Sequence, residues 1–140
     1  MPIQDLARAE VVSSSPDASV SELAKQMRDE SVGSVVITND QTPVGIVTDR
    51  DLTVRVLAEE TDPTDQTARD VMTEDLCAVG PDAGFYEAAE VMSDNGIRRL
   101  PVCSEDDELV GIITADDLTE LLADENEQLA SVIQAQRPSY

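Results

Sequence analysis

The sequence has no histidine, no tryptophan and a single lysine, Lys25. Without imidazole, the side chain most often used as a general base and metal ligand is missing. Only two cysteines occur, Cys77 and Cys103, and without histidine they do not make a zinc pattern. Both sit in short apolar runs. Buried free thiols are the plain reading, and a disulfide or redox pair is the alternative. No apolar run nears the ~20 residues of a membrane span. The opening stretch, MPIQDLARAE, lacks the charged and apolar regions of a signal peptide, so a cytoplasmic location is expected.

Positive charge is also scarce. The chain sets 9 Lys and Arg against 30 Asp and Glu, a formal net charge of −21. Such a chain repels phosphate backbones and anionic lipid, so neither nucleic acid nor a membrane is an expected partner. Acidic chains are sometimes disordered. Here 41% of residues are hydrophobic and their spacing is periodic, which argues for a folded protein. Acid spread along the whole chain, with lysine almost absent, looks like the surface of a protein from an extreme halophile. At molar salt the Debye length is about 3 Å, which screens the self-repulsion.

What is present is a duplication. The stretch VGIVTDRDL at 44–52 returns as VGIITADDL at 110–118. Upstream, SPDASVSELAKQM at 15–27 lies against GPDAGFYEAAEVM at 80–92, and Asp5 recurs as Asp70. The apolar phases repeat as well. Val20, Leu23, Ala24 and Met27 have the spacing of an amphipathic helix, and Phe85, Ala88, Ala89 and Met92 repeat it. Pro16-Asp17 and Pro81-Asp82 supply the entry turns. Each helix precedes two β-rich runs around a short polar loop: SVVIT with VGIVT, and RLPVC with VGIIT. Further helices are expected at 50–59 and 116–123, and leading strands at 10–14 and 75–79. Each half therefore reads β-α-β-β-α, an α/β (α+β) fold built twice. A unit of about 60–70 residues is marginal alone, so the two halves are expected to share a core.

A doubled β-α-β-β-α unit in which each half closes on G-[IV]-[IV]-T-x-x-D-L resembles the CBS domain, and the tandem resembles a CBS pair, or Bateman module. PVGIVTDRDL, GIRRLPV and LVGIITADDL carry the resemblance, which covers nearly all of residues 3–123. It implies two repeats packed through their sheets about a pseudo-two-fold axis, two clefts between them, and a disk-shaped homodimer. The expected boundaries are 3–60 for the first repeat, an acidic linker at 61–67, 68–123 for the second repeat, and a helical tail at 124–140. In the tail, Leu129, Val132 and Ile133 fall at helical spacing and are expected to pack on the body or on a second copy. The end, QRPSY, is expected to be loose.

Thr48 with Asp51, and Thr114 with Asp117, have the spacing of a capping box before an apolar helix. The functional reading adds to the cap. A carboxylate accepts hydrogen bonds from vicinal ribose hydroxyls, and N–H groups at the same helix start can face a phosphate. In the family resembled, this Asp holds the ribose of an adenosine-type ligand and the Thr lies nearby. Gly45 and Gly111 allow close approach of a backbone or a ligand. Arg98 and Arg99 are phosphate candidates, with salt bridges to nearby acid as the alternative. Their matching positions are Gly33 and Ser34. Arg50 is a further candidate, and its counterpart is Asp116. Adenine would need an apolar slot from Val12 to Ser14 with Val36 to Thr38, or from Cys77 to Val79 with Pro101 to Cys103. The same residues would serve in any core.

No nucleophile–base pair and no P-loop is present, so no enzyme is expected. The expected function is a regulatory module that binds AMP, ADP or ATP without an obligatory cofactor, and signals to an effector protein of unknown identity. The alternatives are a sensor of S-adenosylmethionine type and a ligand-free dimerisation piece. Charge alone generates a first prediction. The melting temperature should rise when salt increases from about 0.1 M to 2–3 M KCl, because repulsion is screened over that range. Scanning calorimetry at the two concentrations checks it, and a melting point indifferent to salt would contradict it.

Overall fold

The computed structural model describes residues 2–74 and 76–137. The first half begins with β1 (Ser13–Ser14), α1 (Val20–Glu30), β2 (Ser34–Asn39) and β3 (Thr42–Thr48). A short helix α2 (Asp49–Leu52) then runs into a π turn at Thr53–Leu57. The second half holds α3 (Ala68–Val71), α4 (Phe85–Asn95), β4 (Arg99–Cys103), β5 (Leu109–Thr114) and α5 (Ala115–Gln136). β1 runs parallel to β2, and β2 is antiparallel to β3; β4 and β5 form an antiparallel pair. The β2–β3 hairpin turns through Asp40 and Gln41, both at positive φ. Two-residue hairpin loops favour that left-handed geometry.

The helices follow their local signals. α1 opens on a capping box, with the Ser19 hydroxyl accepting from Glu22 N–H and the Glu22 carboxylate accepting from Ser19 N–H. It buries Val20, Leu23 and Met27. α4 ends at Gly96, whose φ of 63° suits a residue without Cβ. Both proline turns form, with Ala18 N–H donating to Ser15 O and Ala83 N–H to Gly80 O.

Two strands and one core position differ from the expectation. The leading strand at 10–14 shrinks to two residues, because the chain just upstream is committed elsewhere: Arg8 bridges Ile112. No strand forms across 76–79, and Val79 alone bridges Val102; Asp75 lies outside the described residues. Gly80 and Pro81 follow at once and prevent extension. Ala24, expected in the core face of α1, is exposed and lines a groove with Leu52, Val56 and Leu57.

Two cores result, and neither follows sequence order. One gathers Val20, Leu23, Val35, Ile37 and Val47, and it is completed by Ala68 and Val71. The other gathers Ala88, Met92, Leu100, Val102 and Ile113, and it is completed by Ile3. The segment before each half thus packs into the opposite half. The bridges repeat accordingly: Pro2 with Gly84 and Ser19 with Thr67, then Arg8 with Ile112 and Ile46 with Thr73. These pairs interchange under the duplication, which gives the fold its pseudo-two-fold symmetry. Among the described residues no helix is long and apolar enough to cross a membrane.

The repeated glycine of VGI is explained by this crossing. A Cβ at Gly45 would run into the Met72 side chain, and one at Gly111 would lie 3.2 Å from the Arg8 carbonyl oxygen. What approaches these glycines is therefore the exchanged segment. Gly45→Ala should cost about 1–3 kcal/mol through overpacking. Met72→Ala in the same chain should return part of that cost. A double-mutant cycle by urea denaturation measures the coupling, and strict additivity of the two changes would remove the explanation.

Candidate functional site

The strands β3 and β5 end on threonines that start helices. The Thr48 hydroxyl accepts from Asp51 N–H at 3.1 Å, and Asp51 Oδ2 accepts from Thr48 N–H at 2.9 Å. Thr114 and Asp117 repeat the exchange at 3.2 and 2.9 Å. Both capping boxes are formed. Each uses one oxygen of its carboxylate and leaves Oδ1 turned elsewhere. The Asp51 side chain is 15% exposed and that of Asp117 is 10% exposed.

Thr48 and Asp51 line a cavity of about 240 Å³ together with Ile46, Thr73, Arg50, Ile97, Arg98 and Arg99. The cavity therefore has one wall from the first half and another from the second. It collects three arginines from a chain with 30 acidic residues. Arg98 makes an exposed contact with Asp116, 3.5 Å from Nη2 to Oδ1. Arg99 is half-buried and reaches toward Gly33, where a Cβ would stand 3.1 Å from its Nη2. The Asp51 Oδ1 has Arg55 Nε at 3.9 Å, beyond hydrogen-bond distance.

The equivalent place around Asp117 is built differently. Arg8 Nη2 lies 3.4 Å from Asp117 Oδ1. Arg8 also lines a neighbouring cavity of about 720 Å³ with Val12, Gln26, Glu30, Glu10 and Val32. The residues proposed for an adenine slot divide. Val36, Ile37, Pro101 and Val102 are core, whereas Val12 and Ser13 face this second cavity. Ser13 and Thr38 also border a smaller space of about 190 Å³.

Cys77 and Cys103 are free and half-buried. Burial, with Asp107 adding, pushes the Cys103 thiol up, away from the thiolate a nucleophile requires. No cluster of three or more metal-ligating side chains occurs among the described residues.

A sequence model of the CBS domain matches residues 3–58 and again 68–124. The chain belongs to the CBS domain family. As a CBS pair it resembles the uncharacterized protein MK0525 of Methanopyrus kandleri, at 38% identity over 120 residues. That match covers 85% of this chain and 61% of the Methanopyrus protein, so this chain spans less than two thirds of that relative. The uncharacterized protein YlbB of Bacillus subtilis is 36% identical over 133 residues, covering 94% of this chain and 88% of YlbB. Among solved structures, the CBS domain protein PAE2072 from Pyrobaculum aerophilum, complexed with AMP, superposes with a TM-score of 0.76 at 28% identity. It covers 84% of this chain and 89% of that one.

Within this CBS pair the structure brings Thr48, Asp51, Arg50, Arg98 and Arg99 to one cleft, and places Thr114 and Asp117 beside Arg8. Arg8 and Thr73 were not singled out from the sequence. The repeat offers the signal, since LARAEV aligns with VMTEDL and sets Arg8 against Thr73.

The caps make a prediction that no ligand enters. Thr48→Ala and Thr114→Ala should each lower unfolding stability by ~0.5–2 kcal/mol, the usual cost of a lost N-cap. Serine at either position should restore most of it. Denaturation midpoints read the effect, and midpoints unmoved by alanine would show the caps to be idle.

Proposed function

We propose that this CBS pair is a non-enzymatic regulatory module that binds an adenine nucleotide, AMP, ADP or ATP, in the cleft of Asp51. The observation that carries this reading is the convergence of Thr48, Asp51, Arg50, Arg98 and Arg99 on one cavity. Asp51 Oδ1 makes no hydrogen bond among the described residues, which supports a role in accepting from ribose hydroxyls while Oδ2 stays with the cap. The guanidinium groups suit phosphate oxygens, to which arginine donates two parallel hydrogen bonds. Three of them also disfavour S-adenosylmethionine, whose sulfonium is a cation. The AMP complex of the Pyrobaculum relative adds support from a protein of the same architecture.

The mechanism follows from the walls. A nucleotide held by the start of α2 and by Arg98 and Arg99 at the start of β4 ties one half to the other. It favours the arrangement in which both walls reach it. An effector protein that binds one arrangement better then reads the nucleotide, and the effect is bounded by the ligand's differential affinity for the two.

A homodimer is the second element of the reading, and one feature favours it. The segment 128–136 of α5 carries no charge, in a chain of net charge −21. On it Leu129, Val132 and Ile133 are 62%, 55% and 63% exposed. They do not pack on the body, as one of the two expectations for the tail had it. An uncharged apolar surface is where two strongly acidic chains touch with least repulsion. A ligand-free dimerisation module would use the same surface, and nucleotide binding separates the two functions.

The test is a thermal melt in about 2–3 M KCl, chosen for screening. At 100 times its Kd a nucleotide should add about 2.7 kcal/mol of stability. Asp51→Ala and the double change Arg98→Ala/Arg99→Ala should each shrink that shift. A lowered baseline with the full shift retained would leave Asp51 only its capping role. No shift with any adenine nucleotide would leave the dimerisation module standing alone.

A further inference from the structure

We propose that Arg8 closes the second cleft by pairing with Asp117, so that the chain takes up one nucleotide, in the cleft of Asp51, Arg98 and Arg99. This rests on the nucleotide reading above and says which half of the duplicated machinery works.

Equivalent positions of the two halves carry different side chains. Thr73 and Arg8 are held by the same backbone bridge. Thr73 N–H donates to Ile46 O at 3.0 Å and Ile46 N–H returns at 3.1 Å. Arg8 N–H donates to Ile112 O at 2.9 Å and Ile112 N–H returns at 3.1 Å. The backbone thus delivers each side chain beside the Asp of its cleft. In the first cleft the side chain is a short neutral hydroxyl. In the second it is a guanidinium, and its Nη2 donates to Asp117 Oδ1 at 3.4 Å. Asp117 Oδ2 already accepts from Thr114 N–H. Both oxygens of Asp117 are therefore engaged, while Asp51 keeps Oδ1 without a hydrogen bond among the described residues.

The opposite wall of the second cleft removes the remaining means of holding a nucleotide. Gly33 and Ser34 stand where the first cleft has Arg98 and Arg99. Asp116 stands where it has Arg50, and Glu10 and Glu30 line the space beside Arg8. A phosphate entering there meets carboxylates on either side of Arg8, whose guanidinium is already paired with Asp117. A ribose entering there must displace Arg8 from Asp117. An uncharged nucleoside would meet only the second obstacle.

Removing Arg8 should therefore uncover a site for adenosine without creating one for AMP. The experiment is calorimetric titration of the full chain with AMP and with adenosine, on the wild type, Arg8→Ala, and Arg8→Ala/Asp117→Asn. Asparagine keeps an oxygen for the cap but replaces the second acceptor with a donor, so the helix start survives. The wild type should bind one AMP per chain. Arg8→Ala should still bind one AMP and should gain a second adenosine site, at the Asp117 cleft, at least about tenfold tighter than the wild type shows at that cleft, as loss of a charged hydrogen bond allows. The added Asp117→Asn should abolish that second site. Two AMP per wild-type chain would overturn the proposal. So would weaker AMP binding in Arg8→Ala, which would make Arg8 a phosphate ligand. AMP binding to the wild type with no new adenosine site in Arg8→Ala sinks the closure alone. Failure of every variant to bind either ligand sinks the nucleotide reading and the closure with it.

Discussion

Ile3 packs among Ala88, Leu100 and Ile113, while Ala68 and Val71 pack among Leu23, Ile37 and Val47, so each core is completed by a segment that precedes the other half. This exchange is the constraint on which the remaining structure depends. A half-chain lacking its partner's leading segment would expose an apolar face that a unit of about 60–70 residues can ill spare. The strands beneath must then accept a backbone at close range. The glycine of each VGI meets that demand, with Met72 over Gly45 and the Ala7–Arg8 segment over Gly111. Duplication alone would give two marginal units; duplication with exchange gives one body that cannot come apart without opening both cores.

The same crossing decides what faces each carboxylate. The exchanged segments end beside Thr48–Asp51 and Thr114–Asp117, so residues at their ends become cleft residues although they lie far away in sequence. A substitution there changes a cleft without disturbing the cap, the sheet or the core. Thr73 and Arg8 are one such difference. Arg98 and Arg99 against Gly33 and Ser34 are another, and they stand at the start of a strand whose backbone pairing is unaltered. The fold thus keeps its symmetry in the backbone, where hydrogen bonds enforce it, and loses it in side chains that project into solvent-filled space.

What could be read from the sequence follows the same division. The duplication, the helix phases, both proline turns and both capping boxes are local signals, each settled within a few residues. The pair of repeats and the mixed fold were legible for that reason. Non-local features were not. The strand expected at 10–14 has suitable residues, but its length is set by Arg8 pairing with Ile112, over a hundred residues away. Ala24 has the right phase for a core position, yet the groove beside it is left uncovered within this chain. The helix expected to end at residue 123 continues to Gln136, because nothing after Ala123 breaks it before Pro138. For the site, the residue types were legible and their grouping was not. No local pattern tells which wall Arg98 and Arg99 occupy.

Charge supplies the last link between fold and function. In a chain of net charge −21 the average field opposes any phosphate, so an anion site must be made locally, by several cations acting together. Eight arginines are available, and three of them line the cavity of Asp51. Arg69 is spent on an exposed pair with Asp17 and Arg28 on one with Asp29, pairs of small energetic value. The acids on α5 are likewise confined to the stretch Asp116 to Glu127, which leaves 128–136 neutral. At high ionic strength long-range repulsion is screened, but direct contacts shorter than the Debye length of about 3 Å keep their value. Under those conditions a compact group of arginines would keep its attraction for an anion while the acidic surround ceases to oppose it. The acidic surface and the arginine-lined cleft are then compatible, because salt weakens the diffuse term more than the local one.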